Sequence, residues 1–194
     1  MIYLIGVDHC RAQRKKREDD FTDCQREFQA VVESGVQSIQ AGLVAEEDHP
    51  DFLSRDGKDS ILLEIATVHG IGDRHQFIDA NDAERERIGY RSQFGFGRDR
   101  VPAMAHEIMH QFPKREKFWL SKLQNALHGD VLFVCGWGHI ESFTALLAKA
   151  EVGYSIRADK IGACQSELEF YDEVRRHIKD NLAWLDNPNC FCSR

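Results

Sequence analysis

Two short apolar runs set the hydrophobic pattern of this chain: Ile2-Tyr3-Leu4-Ile5 near the start, and Val131-Leu132-Phe133-Val134-Cys135 further on. Neither contains a charged residue. Short apolar runs without alternation read as strands covered on both faces, as in a parallel sheet. The same device follows each run: Gly6-Val7-Asp8-His9 and Gly136-Trp137-Gly138-His139. Glycine lets the backbone turn where the strand ends, and a histidine then falls where the next helix begins. Open α/β sheets bind ligands at the carboxyl ends of their strands. If both strands are parallel members of one sheet, His9 and His139 share one rim.

The rest of the pattern supplies the layers. Leu43-Val44-Ala45 reads as a strand that delivers Glu46, Glu47 and Asp48 to the same rim. Side chains alternate along a strand, so Glu46 and Glu47 are expected on opposite faces. Gln76 to Asp79 is a third short strand ending in a carboxylate, and Val152 to Ile156 a last one. Helical spacing recurs between them. Phe21, Cys24, Phe28, Val31 and Val32 form one apolar face, with Gly35 as its stop. Ile61, Leu62, Ile65 and Val68 form another, capped by Gly70. Asn81 caps a helix over Glu84 to Ile88. Helices follow over Pro102 to Phe112 and Lys114 to Leu127, and one opens at His139. A closing helix carries Leu168, Tyr171, Val174, Ile178, Leu182 and Leu185, with Ser166 and Glu169 as a capping box and Asn187-Pro188 as its end. Asp51 to Lys58 reads as a polar turn and Tyr90 to Arg100 as a glycine-bearing loop. The expected class is α/β, a three-layer, mostly parallel central sheet flanked by helices, in one domain over residues 1–194.

Composition adds exclusions. Net charge of −7 argues against a nucleic-acid surface. No apolar run reaches the roughly 18 residues of a membrane span, and the N-terminus lacks the pattern of a leader, so a cytoplasmic protein with no membrane partner is expected. Cys10, Cys24, Cys135 and Cys164 lack CxxC spacing, and Cys190 and Cys192 form a CxC pair near the end. Most are expected reduced, with Cys135 in the core. A basic run, Arg11, Arg14, Lys15, Lys16 and Arg17, precedes Glu18, Asp19 and Asp20. It is either a solvated loop or a flap that draws an anionic substrate to His9.

Two constellations carry chemistry. His9, His139 and Glu46 supply two imidazoles and a carboxylate, a ligand set for a divalent ion such as Zn, Mn or Co with open positions for water. Glu47 or Asp8 would act beside it as proton acceptor, and Arg115 would stabilise developing negative charge. Without a metal the same groups can act as an acid–base pair. The second constellation is His106-Glu107-Ile108-Met109-His110, an HExxH pattern that sets two histidines on one helix face beside a glutamate. It is the alternative metal site, that of a zincin-like peptidase, with its third ligand unassigned.

The order of motifs resembles a known superfamily: TraB/PrgY, the TIKI proteases, the erythromycin esterases and the ChaN-like haem-binding proteins. The resemblance rests on Gly6 to His9, the acidic strand end Glu46-Glu47-Asp48, in which it sets Glu46 at the family's glutamate position and so favours it over Glu47, Phe77-Ile78-Asp79, the pair Arg115-Glu116 and Gly136 to His139, and covers about residues 1–150. It implies a metal-dependent or His/Glu-based hydrolase acting on a peptide, amide or ester bond in a small-molecule or peptide substrate. The ChaN-like branch implies instead a non-catalytic protein that binds haem or another small ligand.

Overall fold

The structure, a computed structural model, describes residues 1–16, 19–91, 99–125 and 129–182. Along the chain run β1 (Ile2–Val7), a π-helical turn (His9–Gln13), β2 (Arg14–Lys16), α1 (Asp23–Ile39), β3 (Leu43–Glu46), α2 (Pro50–Asp56), β4 (Lys58–Ser60), α3 (Ile61–Val68), β5 (His75–Phe77) and α4 (Asp82–Arg87). Then come α5 (Arg100–His106), a second π-helical turn (Glu107–Gln111), α6 (Phe112–Asn125), β6 (Val131–Gly136), α7 (Ile140–Lys149), β7 (Tyr154–Ile161) and α8 (Gln165–Asp180). Five strands form one sheet in the order β5-β3-β6-β1-β7, every neighbouring pair parallel. β2 and β4 form a separate antiparallel ribbon.

Alternation along the strands feeds two cores. Leu4, Ala45, Val131, Phe133 and Cys135 face Trp119, Leu123, Phe143 and Leu147 of α6 and α7. Ile5, Val7, Val44, Leu132 and Val134 face Phe28, Val32, Ile61 and Ile65 of α1 and α3. All six residues of β6 are buried, as its unbroken apolar run requires of the central strand. The three-layer α/β expectation is therefore met. A smaller cluster of Met104, Ala105, Phe112 and Val174 seats α5 on α8. Among the described residues no helix is long and apolar enough to cross a membrane.

Several local readings change. Gly35 does not stop α1. It lies inside the helix, and a Cβ there would stand 3.3 Å from both methyls of Leu132, so the glycine lets α1 approach β6. The closing helix is capped by Cys164 with Glu167 rather than by Ser166 with Glu169. The last strand runs to Ile161, and residues 50–56 form a helix started by Pro50. Asn81 does cap α4, in a reciprocal box with Glu84. Arg17, Glu18, the glycines at 95 and 97, Leu127, Leu185, Asn187-Pro188 and the Cys190/Cys192 pair lie outside the described residues.

Candidate active site

The ends of three neighbouring strands make the site. β1 and β6 run in register with Val7 opposite Gly136, so the two Gly-x-x-His turns leave the sheet side by side. β3 lies on the other side of β6 and ends at Glu46. Glu47 carries its ladder one step further, donating its N–H to the carbonyl of Val134 at 2.8 Å. Alternation then separates the two glutamates. Glu46 shares the α1/α3 face with Val44, and Glu47 turns to the α6/α7 side beneath the rim.

Glu47 is the hub, only 4% exposed. Its Oε2 accepts the N–H of Gly136 at 2.7 Å and lies 3.2 Å from His9 Nε2. Its Oε1 accepts from Arg115 Nη2 at 2.6 Å and lies 3.6 Å from His139 Nε2. Burial opposes its charge, but Arg115, His139 and His9 outweigh that and hold the carboxyl well below its ordinary range. Gly136 has to be glycine here. A Cβ would lie 2.9 Å from His9 Nε2 and 3.3 Å from Glu47 Oε2.

Each partner of the hub is itself oriented. Arg115 forks onto Asp79, with Nε to Oδ1 at 3.2 Å and Nη2 to Oδ2 at 2.9 Å. Arg85 at 2.6 Å and Trp119 Nε1 at 3.0 Å complete the Asp79 carboxylate. Burial disfavours the charge of Asp79, and Arg115 more than restores it, leaving that carboxyl below its usual value. Gln13 Nε2 donates to Glu46 Oε2 at 2.5 Å, which turns Gln13 Oε1 onto His9 Nδ1, also at 2.5 Å. His9 Nδ1 therefore carries a proton, and Nε2 faces the Glu47 carboxylate. Burial works against an imidazolium, yet the charge of Glu47 and its hydrogen bond raise the His9 pKa above the ordinary 6.5. A proton on each ring nitrogen matches the two acceptors.

His139 is held differently. Its Nδ1 donates to Glu116 Oε1 at 2.8 Å, and the Ser142 hydroxyl donates to the same oxygen. The ring stacks on Phe112 with centroids 3.6 Å apart and meets the edge of Trp119 at 4.7 Å. Its Nε2 faces the rim. At 3.6 Å from Glu47 Oε1 it is beyond hydrogen-bond reach. Trp119, Phe133 and Phe143 support this arrangement from below in edge-to-face contacts of 5.4 to 5.9 Å. Such pairs each contribute about 1 kcal/mol beyond burial.

His9, Glu47, Arg115 and His139 line a cleft of about 410 Å³ roofed by α5 and α8, which Asp8, Arg100, Glu107 and Tyr171 also line. The Tyr171 phenol is pushed up to about 12, first by burial and then by Glu47 and Glu167, so it is a neutral donor at physiological pH. Its oxygen would stand 2.6 Å from a Cβ at Gly138, so that glycine admits it. Asp8 accepts the N–H of Arg11 at 2.9 Å.

The metal sets can be tested against this geometry. Glu46 does not join His9 and His139. On the far face of the sheet its oxygens accept from Gln13 and Ser60, and His75 Nε2 lies 2.7 Å away. Both oxygens of Glu47 are held by Arg115 and Gly136. As folded, His9, His139 and Glu46 do not converge on one point and do not fit a divalent ion. In the HExxH segment, His106 ends α5 and the chain widens into the π-helical turn. The His106 and His110 rings lie 4.7 Å apart, whereas Glu107 lines the cleft and accepts from the Tyr90 hydroxyl at 2.8 Å. Among the described residues, no group of three or more His, Cys, Asp or Glu side chains is arranged to hold a metal ion.

The chain matches no family model, no curated protein and no solved structure. The site therefore has to be read from its own geometry. That geometry unites His9, Glu47, Arg115 and His139, sets Asp8 at the cleft wall, and leaves Glu46, His106 and His110 apart from the hub. It adds Gln13, Asp79, Glu116 and Tyr171. Of these, Glu116 had a sequence signal in its place beside Arg115, and Asp79 in its place at a strand end. Gln13 and Tyr171 had none, because only the fold brings them to the rim.

Proposed function

We propose that the protein is a hydrolase of ester or amide bonds that works through its histidines and carboxylates. The observation that carries this reading is one buried carboxylate, Glu47, flanked by the Nε2 atoms of two histidines from adjacent strand ends, on the floor of a cleft. The order of motifs resembling the erythromycin esterases supports the same chemistry.

The roles follow from the hydrogen bonds. His139, oriented by Glu116, takes a proton from water at Nε2, and Glu116 stabilises the imidazolium that forms. The water oxygen attacks the carbonyl carbon. Tyr171, protonated at neutral pH, donates to the developing oxyanion. His9, held as imidazolium by Glu47, delivers its Nε2 proton to the leaving oxygen or nitrogen as that bond breaks. Glu47 stays ionised throughout. Arg115 positions Glu47, its charge already shared with Asp79, and so acts on the reaction through that carboxylate.

The test is turnover of small p-nitrophenyl esters and anilides by the purified protein and by a His139→Gln variant of unchanged circular dichroism. Loss of a general base lowers the rate by roughly 10²- to 10⁴-fold. A variant as active as the wild type would remove His139 from the chemistry. Absence of turnover in both substrate classes would count against the hydrolase reading.

A further inference from the structure

A second cavity, of about 430 Å³, lies outside the rim site. Arg11, Arg14, Lys15, Lys16 and Lys58 line it, with Asp19 as the lining carboxylate among the described residues. This concentration of positive charge stands out in a chain of net charge −7. Part of it is neutralised. Arg14 forks onto the buried Asp48 at 2.7 and 3.1 Å, Lys15 lies 3.6 Å from Glu64, and Arg11 lies 4.0 Å from Glu167. Lys16 and Lys58 make no ion pair among the described residues.

β2 and β4 pair antiparallel with Arg14 opposite Ser60, Lys15 opposite Asp59 and Lys16 opposite Lys58. Residues directly opposite in such a pair have Cβ atoms about 5 Å apart, and like charges there are destabilising. A two-stranded ribbon is marginal in any case. Ending it on two facing lysines costs stability unless an anion lies between them. The N-terminus of the 17-residue α1 borders the same cavity through Thr22, Cys24 and Gln25, its Gln25 N–H already taken by the Thr22 hydroxyl, so that it contributes through its dipole alone. The helix's own first-turn acid, Asp23, is paired with Arg26.

We propose that this cavity binds a phosphate group, either free phosphate or a phosphomonoester on a small molecule. Lysines on both strands close on the dianion as point charges. The site is independent of the hydrolase reading. It is built on the segment that directly follows His9 and Gln13.

The experiment titrates inorganic phosphate, glycerol phosphate and acetate into the full chain, reading heat of binding and melting temperature. The same titrations are run on Lys16→Gln/Lys58→Gln and on a control, Lys149→Gln. Expected are saturable binding and a raised melting temperature with both phosphates, little response to acetate, and affinity at least tenfold weaker in the double variant but not in the control. Without phosphate the double variant should melt no lower than the wild type, since the facing charges are gone. No saturable binding to the wild type, or unchanged binding by the double variant, overturns the proposal. So does lost binding with a lower melting temperature in the absence of phosphate, which would mean that the lysines hold the ribbon rather than a ligand. Vesicles of phosphatidylglycerol in phosphatidylcholine are titrated in parallel, and a response to them alone overturns the proposal by assigning the basic face to a membrane.

Discussion

Replacing Glu47 by glutamine keeps the volume of the side chain and an acceptor for the Gly136 N–H but removes the charge. Arg115 keeps its fork to Asp79, so its guanidinium is not left alone. His9 loses the group that sustains its imidazolium. Truncating one partner of a buried ion pair costs 3–5 kcal/mol, and the retained Asp79 contact places this case at the lower end, about 3 kcal/mol. For a chain of this size that is a fall of about 6 to 12 °C in melting temperature. The pH dependence is more diagnostic. The Glu47 pKa is depressed on folding, so its contribution is full above the ordinary value of 4.5 and lost as pH falls through the folded value. The His9 pKa is raised, so its contribution is full below 6.5 and lost as pH rises through its folded value. The stability gap between wild type and Glu47→Gln should therefore be widest between about pH 4.5 and 6.5 and shrink on either side. Denaturant unfolding across this range measures it. NMR titration of His9 should show its pKa falling in the variant, below the ordinary value, because burial is then the dominant influence. A gap under about 1 kcal/mol, or one that is flat from pH 3 to 8, would refute the hub role of Glu47.

Three further substitutions separate rim from scaffold. Gly136→Ala forces a methyl to within 2.9 Å of His9 Nε2 and should lower kcat by on the order of 10²-fold while the protein stays folded, since misplacement by about 1 Å costs that much; kinetics paired with circular dichroism checks it. Glu46→Ala strips partners from Gln13, Ser60 and His75 and should destabilise by about 1–3 kcal/mol, with a smaller effect on turnover than Glu47→Gln; urea unfolding and steady-state rates decide. Phe133→Ala opens a cavity beneath Trp119 and Phe143 and should cost about 3–5 kcal/mol in the same unfolding assay.

Much of the scaffold was legible in the pattern of residues. The run Val131 to Cys135 declared a central parallel strand because nothing polar interrupts it, and the repeated Gly-x-x-His placed two histidines on one rim once both strands were parallel. The opposition of Glu46 and Glu47 followed from alternation alone. Which of the two faces the rim did not, because that depends on where the β3 ladder ends relative to β6. The resemblance favoured Glu46, whereas Glu47 holds the histidines. Residue pairs far apart in sequence were beyond reach: Glu116 meets His139, and Tyr171 reaches Gly138, only after α6 and α8 have docked. The three-residue strands β2 and β4 carry no periodicity that could reveal them. Gly35 looked like a helix stop because close packing against Leu132 leaves the same glycine signature as a turn.

The central claim is that His9 and His139 serve one reaction across the Glu47 carboxylate. Its most direct test is kcat/KM on an ester substrate for His9→Gln, His139→Gln and the double variant. Groups acting as a unit are strongly non-additive. Each single variant should lose about 10²-fold or more, and the double variant little beyond the worse single. Losses that multiply, or a single variant with wild-type activity, would contradict a shared site.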